Sequence, residues 1–315
     1  MEIDRIALPD ALFTREVNAI VIKDDPVTLI DGGPNTKQAF EALARGLQRA
    51  GIAIEDIRRI VITHSHLDHC GLAQEVRRRS GAEVLARAEI RPWIQEYSAE
   101  WNKELIKIMA LLETYNVPRS YITAVVMTVR RYKKLGSASS VNIPLEPGSE
   151  IEFADFKLEV MSNPGHTNWC ISLFEPTERI LFCGDLFIEN LTSHPLMQPT
   201  PQETGDWPNQ VEMIHESLDA VCALKPRVIF PGHGDPIQSA EAVRNKIHEG
   251  HAAKQDRIVE LLDGREESLF QINQKLCKYK TPVEIFIEIF ETLHHLRCLI
   301  KKGVVKQKES AFSLQ

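Results

Sequence analysis

The stretch Thr63-His64-Ser65-His66-Leu67-Asp68-His69 puts three imidazoles and a carboxylate within six consecutive positions, at the end of the β-branched run Ile57 to Thr63. That density of polar rings cannot be an ordinary apolar packing unit, and residues two apart, such as His64 and His66, do not share a helical face. On a loop, His64 and His66 can point at one ion while Asp68 and His69 turn toward another. Neutral imidazole and carboxylate are ligands for zinc and for other first-row divalent metals. Three more fragments repeat the arrangement, each after an expected strand: Pro164-Gly165-His166-Thr167, Cys183-Gly184-Asp185 and Pro231-Gly232-His233-Gly234-Asp235. Each sets one potential ligand beside a glycine, which lets the backbone turn sharply close to an ion. Five of the eleven histidines lie in these fragments, and ligand sites of α/β folds gather where strands end.

The elements that must position these groups follow from local pattern. Val17 to Lys23 and Val27 to Ile30 read as a hairpin around Asp24-Asp25-Pro26, and Asn35 is placed to cap a helix running to about Ala50. Strand Ile57 to Thr63, a helix to about Ser80 and a strand near Ala82 to Ala86 complete an α/β signature. From Arg87 to Leu135 the periodicity is helical throughout, with nine basic residues against five Glu. Strands return at Phe156 to Met161, Trp169 to Phe174 and Ile180 to Cys183, and the Pro-rich 195–208 reads as loop. A helix from Gln210 to Leu224, a strand at Val228 to Phe230 and a helix from Ser239 to Leu262 follow. Two helices, Ser268 to Cys277 and Pro282 to Ile300, precede a polar-apolar alternation over Val304 to Phe312.

The chain has 315 residues, 43% hydrophobic and 26% charged, with a formal net charge of −7. That is an average globular composition, outside the disordered and collagen-like ranges. The acidic balance argues against non-specific coating of nucleic acid. The start shows no charged-then-apolar leader, no apolar run reaches bilayer length, and six scattered cysteines form no CxxC pair. The expectation is a cytoplasmic protein with reduced thiols and no membrane partner. Cys70 and Cys183 read as small buried residues, and Trp93, Tyr97 and Trp101 as helix packing. His215, His248, His251, His294 and His295 read as surface or satisfied structural histidines. His194 is a partial exception, since it could line the pocket after Asp185.

The four chemical fragments, in this order, resemble the metallo-β-lactamase-fold hydrolases over about residues 15 to 240. The resemblance implies a four-layer αββα sandwich with two divalent metal ions at one edge, zinc first and iron or manganese as alternatives. It implies that His64, His66 and His166 hold one ion, that Asp68, His69 and His233 hold the second, and that Asp185 bridges them. It gives Asp31 a role in orienting a ligand. Two such ions would lower the pKa of a bridging water to give a hydroxide nucleophile near neutral pH. Asp68 is expected to accept a proton as well as to bind metal.

The expected organisation is a 1–250 sandwich domain, carrying a helical lid insertion over about 87–135, and a small winged-helix-like domain over 251–315. Such a tail is similar to that of the lactamase-β-like-protein-2 branch, while the core is glyoxalase II-like. An apolar lid with basic outer residues favours a small (thio)ester with an anionic handle as substrate. A metal-dependent endoribonuclease with RNA as partner is the first alternative, and a metal-binding regulatory protein with incidental catalysis the second. A homodimer is compatible with either.

Overall fold

The computed structural model describes residues 1–10, 16–188, 209–277 and 282–315. Strands β1 (Ile3–Pro9), β2 (Glu16–Ile22) and β3 (Thr28–Ile30) run antiparallel in turn. Helix α1 (Lys37–Arg49), β4 (Arg59–Ile62), the single turn α2 (Leu67–Cys70), α3 (Ala73–Ser80) and β5 (Glu83–Arg87) follow. Next come α4 (Arg91–Gln95), α5 (Tyr97–Thr114) and α6 (Arg119–Tyr132), then β6 (Ile143–Leu145). Strands β3 to β6 pair in parallel, so the first sheet has the order β1-β2-β3-β4-β5-β6.

The second sheet is built from β7 (Glu150–Glu152), β8 (Lys157–Ser162), β9 (Ile171–Glu175), β10 (Ile180–Gly184) and β11 (Val228–Pro231), in the order β11-β10-β9-β8-β7. Only its β10–β11 pair is parallel, with α7 (Gln210–Ala223) between the two strands in the chain. Helix α8 (Ala240–Leu262) leads to β12 (Glu267–Ser268), α9 (Leu269–Leu276), α10 (Pro282–Lys301), β13 (Val305–Lys308) and β14 (Ala311–Leu314). The last strands form a small third sheet in the order β12-β14-β13.

Period-two burial fixes the layers. On β2, Ile20 and Ile22 pack with Leu158, Ile171, Ile180 and Phe182 of the second sheet, so the sheets face one another. The alternate residues Val17, Ala19 and Val21 turn the other way, onto Leu43 and Leu47 of α1 and Val76 of α3. On β10, Leu181 and Cys183 leave the inter-sheet core and meet Ile214 and Leu218 of α7 and Ile247 of α8. Both sheets are therefore buried on two sides, giving the expected αββα order. The apolar core of the first helical layer runs on without a break into α5, α6, α9 and α10.

Several expectations need adjustment. Thr36, not Asn35, caps α1, its side chain accepting from Ala39 N at 3.1 Å. Asn35 instead donates its backbone N–H to Leu135 O at 2.7 Å, tying the end of the 87–135 segment to the sheet. Strands β1, β6 and β7 escaped the sequence reading, because three to seven residues with few β-branched members barely rise above loop. The aromatic stripe splits at Glu96 between α4 and α5, and Trp93 and Trp101 pack in the core as expected. His194 and the loop expected over 195–208 lie outside the described residues.

Candidate metal centre

Every residue singled out for chemistry follows a strand. Asp31 follows β3, His64 to His69 follow β4, His166 follows β8, Asp185 follows β10 and His233 follows β11. β3 and β4 run parallel, and β8, β10 and β11 share one direction, so the ends that carry these residues gather on one edge of the sandwich. His64, His66, Asp68, His69, His166, Asp185 and His233 are all buried there.

The imidazole nitrogens converge. His66 Nδ1 lies 3.0 Å from His64 Nε2 and 2.9 Å from His166 Nε2. Asp185 Oδ2 stands 3.9 Å from His64 Nε2 and 3.4 Å from His166 Nε2. A second triad adjoins the first: Asp68 Oδ2 is 3.6 Å from His69 Nε2 and 3.5 Å from His233 Nε2. Asp185 meets this group as well, Oδ1 at 3.3 Å from His69 Nε2 and Oδ2 at 3.3 Å from His233 Nε2. One carboxylate thus stands between two sets of three donors.

The far side of each ring decides which nitrogen faces the centre. Asp31 Oδ2 accepts from His69 Nδ1 at 2.9 Å, and the backbone carbonyl of Glu16 accepts from His233 Nδ1 at 2.7 Å. Thr63 donates its hydroxyl to Asp31 Oδ2 at 2.7 Å, so its oxygen is left to accept from His64 Nδ1 at 3.0 Å. These partners take the Nδ1 protons, so each of the three rings turns its Nε2 inward. Asp31 does this from a left-handed backbone, φ 54°, a strain tolerated where the surroundings over-determine it.

Two glycines make room. At Gly184, with φ 51°, a side chain would bring its Cβ to 2.8 Å from Thr63 Oγ1. At Gly232 a Cβ would stand 2.2 Å from Asp185 Oδ1 and 2.7 Å from His69 Cε1. Only a residue without Cβ lets the β11 turn pass beneath the Asp185 carboxylate.

Charge is distributed to match. Burial, reinforced by His166, pushes His66 down to about 3, and burial with the neighbouring rings takes His64 well below its ordinary value. His233 is also lowered by burial, but Asp185 overrides this and lifts it to about 10. His69 rises likewise against burial, through Asp185, Asp68 and Asp31. Burial opposes ionisation of Asp68 and Asp185, yet the facing imidazoles hold both carboxyls below the usual carboxylate range. The thiols of Cys70 and Cys183 are pushed up to about 12 by burial, so neither is a nucleophile at neutral pH.

The donor set fits divalent cations. His69 Nε2 is buried with no hydrogen-bond partner among the described residues, although carboxylate oxygens surround it. His64, His66, His166 and Asp185 each offer an atom within 4.8 Å of the others, and so do Asp68, His69 and His233. Nitrogen and oxygen donors in that number suit zinc, iron or manganese.

Tyr132 was missed in the sequence. The last residue of α6, it accepts from Leu67 N at 2.6 Å and donates to Asp68 Oδ1 at 3.2 Å. Its ring lies edge-on to Trp101 at 5.1 Å, which meets Trp93 in the same way at 5.5 Å. A tyrosine at helical spacing among aromatics looks like packing, and nothing local points to a partner 64 residues away. A second grouping was also missed. His251 and His295 are buried with Glu291, and both rings keep a nitrogen with no hydrogen-bond partner among the described residues. They are therefore neither surface nor satisfied histidines, as had been expected.

The sequence profile of the Metallo-beta-lactamase superfamily matches residues 12–233. "Probable metallo-hydrolase YqjP" of Bacillus subtilis is 29% identical over 297 residues, covering 93% of this chain and 91% of that protein. "Probable metallo-hydrolase YybB" of the same organism is 25% identical over 225 residues, covering 70% of this chain and 82% of its own. A crystal structure of the metallo-beta-lactamase family protein TTHA1429 from Thermus thermophilus has the same fold, with a TM-score of 0.84 at 23% identity, 99% of this chain and 98% of that one being covered. With 222 of its residues under that profile, and with the αββα layers and the His/Asp cluster in place, the chain belongs to the metallo-β-lactamase superfamily as a metal-dependent hydrolase.

Proposed function

We propose that the chain is a dinuclear hydrolase of small (thio)esters that carry an anionic handle. The position of Asp185 carries this reading: one oxygen faces His69, the other faces His64, His166 and His233. In it, His64, His66 and His166 hold one ion and Asp68, His69 and His233 the other, with Asp185 shared. Bound there, such ions, with zinc the first choice, would supply an activated water at neutral pH and would polarise the scissile carbonyl. Asp68 takes the proton of the attacking water, and Tyr132 on Oδ1 keeps Oδ2 turned toward the centre. Asp31, Thr63 and the Glu16 carbonyl hold the imidazole protons away from it.

The 87–135 segment is the proposed lid. Its α6 reaches the centre through Tyr132, and its net-positive character suits an acyl group on a phosphorylated carrier. The tail 251–315 is the proposed winged-helix-like unit: α9 and α10 are followed by the β13–β14 hairpin, with β12 completing the sheet. The 1–250 boundary falls inside α8, which both units share. RNA cleavage is the second reading, favoured by that order of elements in the tail. The proposed location is cytoplasmic; all six cysteines are free, and no described helix is long and apolar enough to cross a membrane.

The test is a hydrolysis screen on metal-loaded protein against anionic acyl thioesters, neutral short esters, lactones, phosphodiesters and single-stranded RNA, repeated with Asp185→Asn. Thioester turnover that falls at least a thousandfold in the variant, together with loss of bound metal, supports the reading. Neutral esters outperforming every anionic thioester overturns the substrate class, and full turnover by Asp185→Asn overturns the dinuclear centre.

A further inference from the structure

Away from the strand ends, α7, α8 and α10 bring a second set of imidazoles together. His215 of α7 lies with its Nε2 2.9 Å from His251 Nδ1 of α8, and its ring centroid is 4.0 Å from that of His248. His251 faces His295 of α10 edge-on at 5.1 Å. Glu291, one turn before His295, places Oε1 3.6 Å from His295 Nε2. His251, Glu291 and His295 are 1%, 1% and 0% exposed, and each offers an atom within 4.8 Å of the other two. His251 Nε2 and His295 Nε2 have no hydrogen-bond partner among the described residues.

The geometry points to a further divalent-metal site, of the zinc class, held by His251, Glu291 and His295 and separate from the strand-end centre. Facing imidazoles, a carboxylate and a buried inward nitrogen without a partner mark the strand-end centre, and here they recur between two helices. A buried nitrogen left without a partner is costly, and an ion satisfies both rings at once. The outer nitrogen of one ring is already served: His251 Nδ1 can donate to His215 Nε2, the support a metal-bound ring requires. Lys254 Nζ lies 2.9 Å from a carboxylate oxygen of both Glu288 and Glu291. Lys254 keeps Glu288 when Glu291 turns to the ion. A cleft of about 500 Å³, lined by Lys254, Arg257, Cys277, Glu284 and Glu288, opens beside the Lys254–Glu288 pair.

Gln255 makes the one rearrangement needed. Its amide nitrogen lies 3.4 Å from His295 Nδ1, while its oxygen accepts from Lys302 Nζ at 2.8 Å. Coordination through His295 Nε2 moves the proton to Nδ1, so the amide turns its oxygen to that proton and exposed Lys302 is released to water. The ion would tie α10 of the tail to α8.

Zinc is counted on the folded, full-length chain by native mass spectrometry after chelation and titration with zinc alone. His295→Gln is expected to hold one ion fewer than wild type, with turnover at the strand-end centre retained. Asp185→Asn is expected to lose metal only at the other centre, so failure of one assignment is distinguishable from failure of the other. Gln255→Glu, which keeps all three ligands, is expected to bind the additional ion about tenfold more tightly. Equal zinc counts in wild type and His295→Gln overturn the site. If His295→Gln does not fold, unchanged zinc affinity in Gln255→Glu overturns it.

Discussion

Tyr132 gives its hydroxyl hydrogen to Asp68 Oδ1 at 3.2 Å while taking the Leu67 N–H at 2.6 Å. One phenol at the end of the helical insertion therefore sets both the start of α2 and the rotation of a carboxylate in the candidate centre. The hydrogen bond to a charged acceptor is worth about 1.5–3 kcal/mol. Tyr132→Phe keeps the ring against Trp101 and removes that bond. Turnover is expected to fall about ten- to a hundredfold with the melting temperature within a few degrees of wild type. Steady-state kinetics with a thermal melt checks this, and unchanged kcat shows that Asp68 needs no such support.

Asp31 is the acceptor shared by His69 Nδ1, Thr63 N and the Thr63 hydroxyl, at 2.9, 2.9 and 2.7 Å. Removing its charge frees the His69 ring to change its protonated nitrogen. Asn tolerates the left-handed backbone that Asp31 adopts, so Asp31→Asn isolates the electrostatic part. Metal affinity is expected to fall about ten- to a hundredfold, read by competition with a chelator of known strength. Wild-type affinity in the variant would confine Asp31 to backbone geometry.

Glu104 on α5 is 3% exposed, its Oε1 has no hydrogen-bond partner among the described residues, and burial lifts its carboxyl from 4.5 to about 9. The folded-state value lies above the unfolded one, so its contribution to stability is complete below pH 4.5 and is lost as pH climbs toward 9. Glu104→Gln stays neutral throughout and loses nothing over that window. Its stability advantage over wild type should be small near pH 5 and widen toward pH 9, by at most about 1.4 kcal/mol per pH unit. Denaturant melts of both proteins across this range test it, and a difference that does not widen with pH rejects a neutral Glu104.

What could be read in advance and what could not divide along the chain distance of each contact. His64, His66, Asp68 and His69 declare themselves because they crowd one loop, and His166, Asp185 and His233 because each sits beside a glycine after an apolar run. The α/β class followed from strands alternating with helices, whereas the αββα layer order came only with the family resemblance. Tyr132 stayed hidden because its spacing in α6 is that of a packing residue. The His251, Glu291 and His295 grouping stayed hidden because two helices far apart in sequence build it, and a Glu and a His one turn apart occur in many surface helices. Thr36 displaced Asn35 as the cap because Asn35 is engaged with Leu135, a contact no local rule contains.

Gly232 offers a test of the role proposed for Asp185 that replaces none of the proposed ligands. A Cβ at this position would stand 2.2 Å from Asp185 Oδ1 and 2.7 Å from His69 Cε1, well inside contact distance, so the Asp185 carboxylate must swing away. The loop around it is held independently, by Asn18 N to Gly232 O at 2.7 Å and Gly232 N to Gly184 O at 2.7 Å. Overpacking of this kind typically costs 1–3 kcal/mol, about the scale of an ordinary core substitution. Gly232→Ala is therefore expected to fold, with a melting temperature lowered by a few degrees, and to lose at least a hundredfold in turnover and part of its bound metal. Elemental analysis beside the kinetics separates the two effects. If Gly232→Ala keeps both its metal and its rate, Asp185 does not need the position between the triads that the proposed reaction assigns to it.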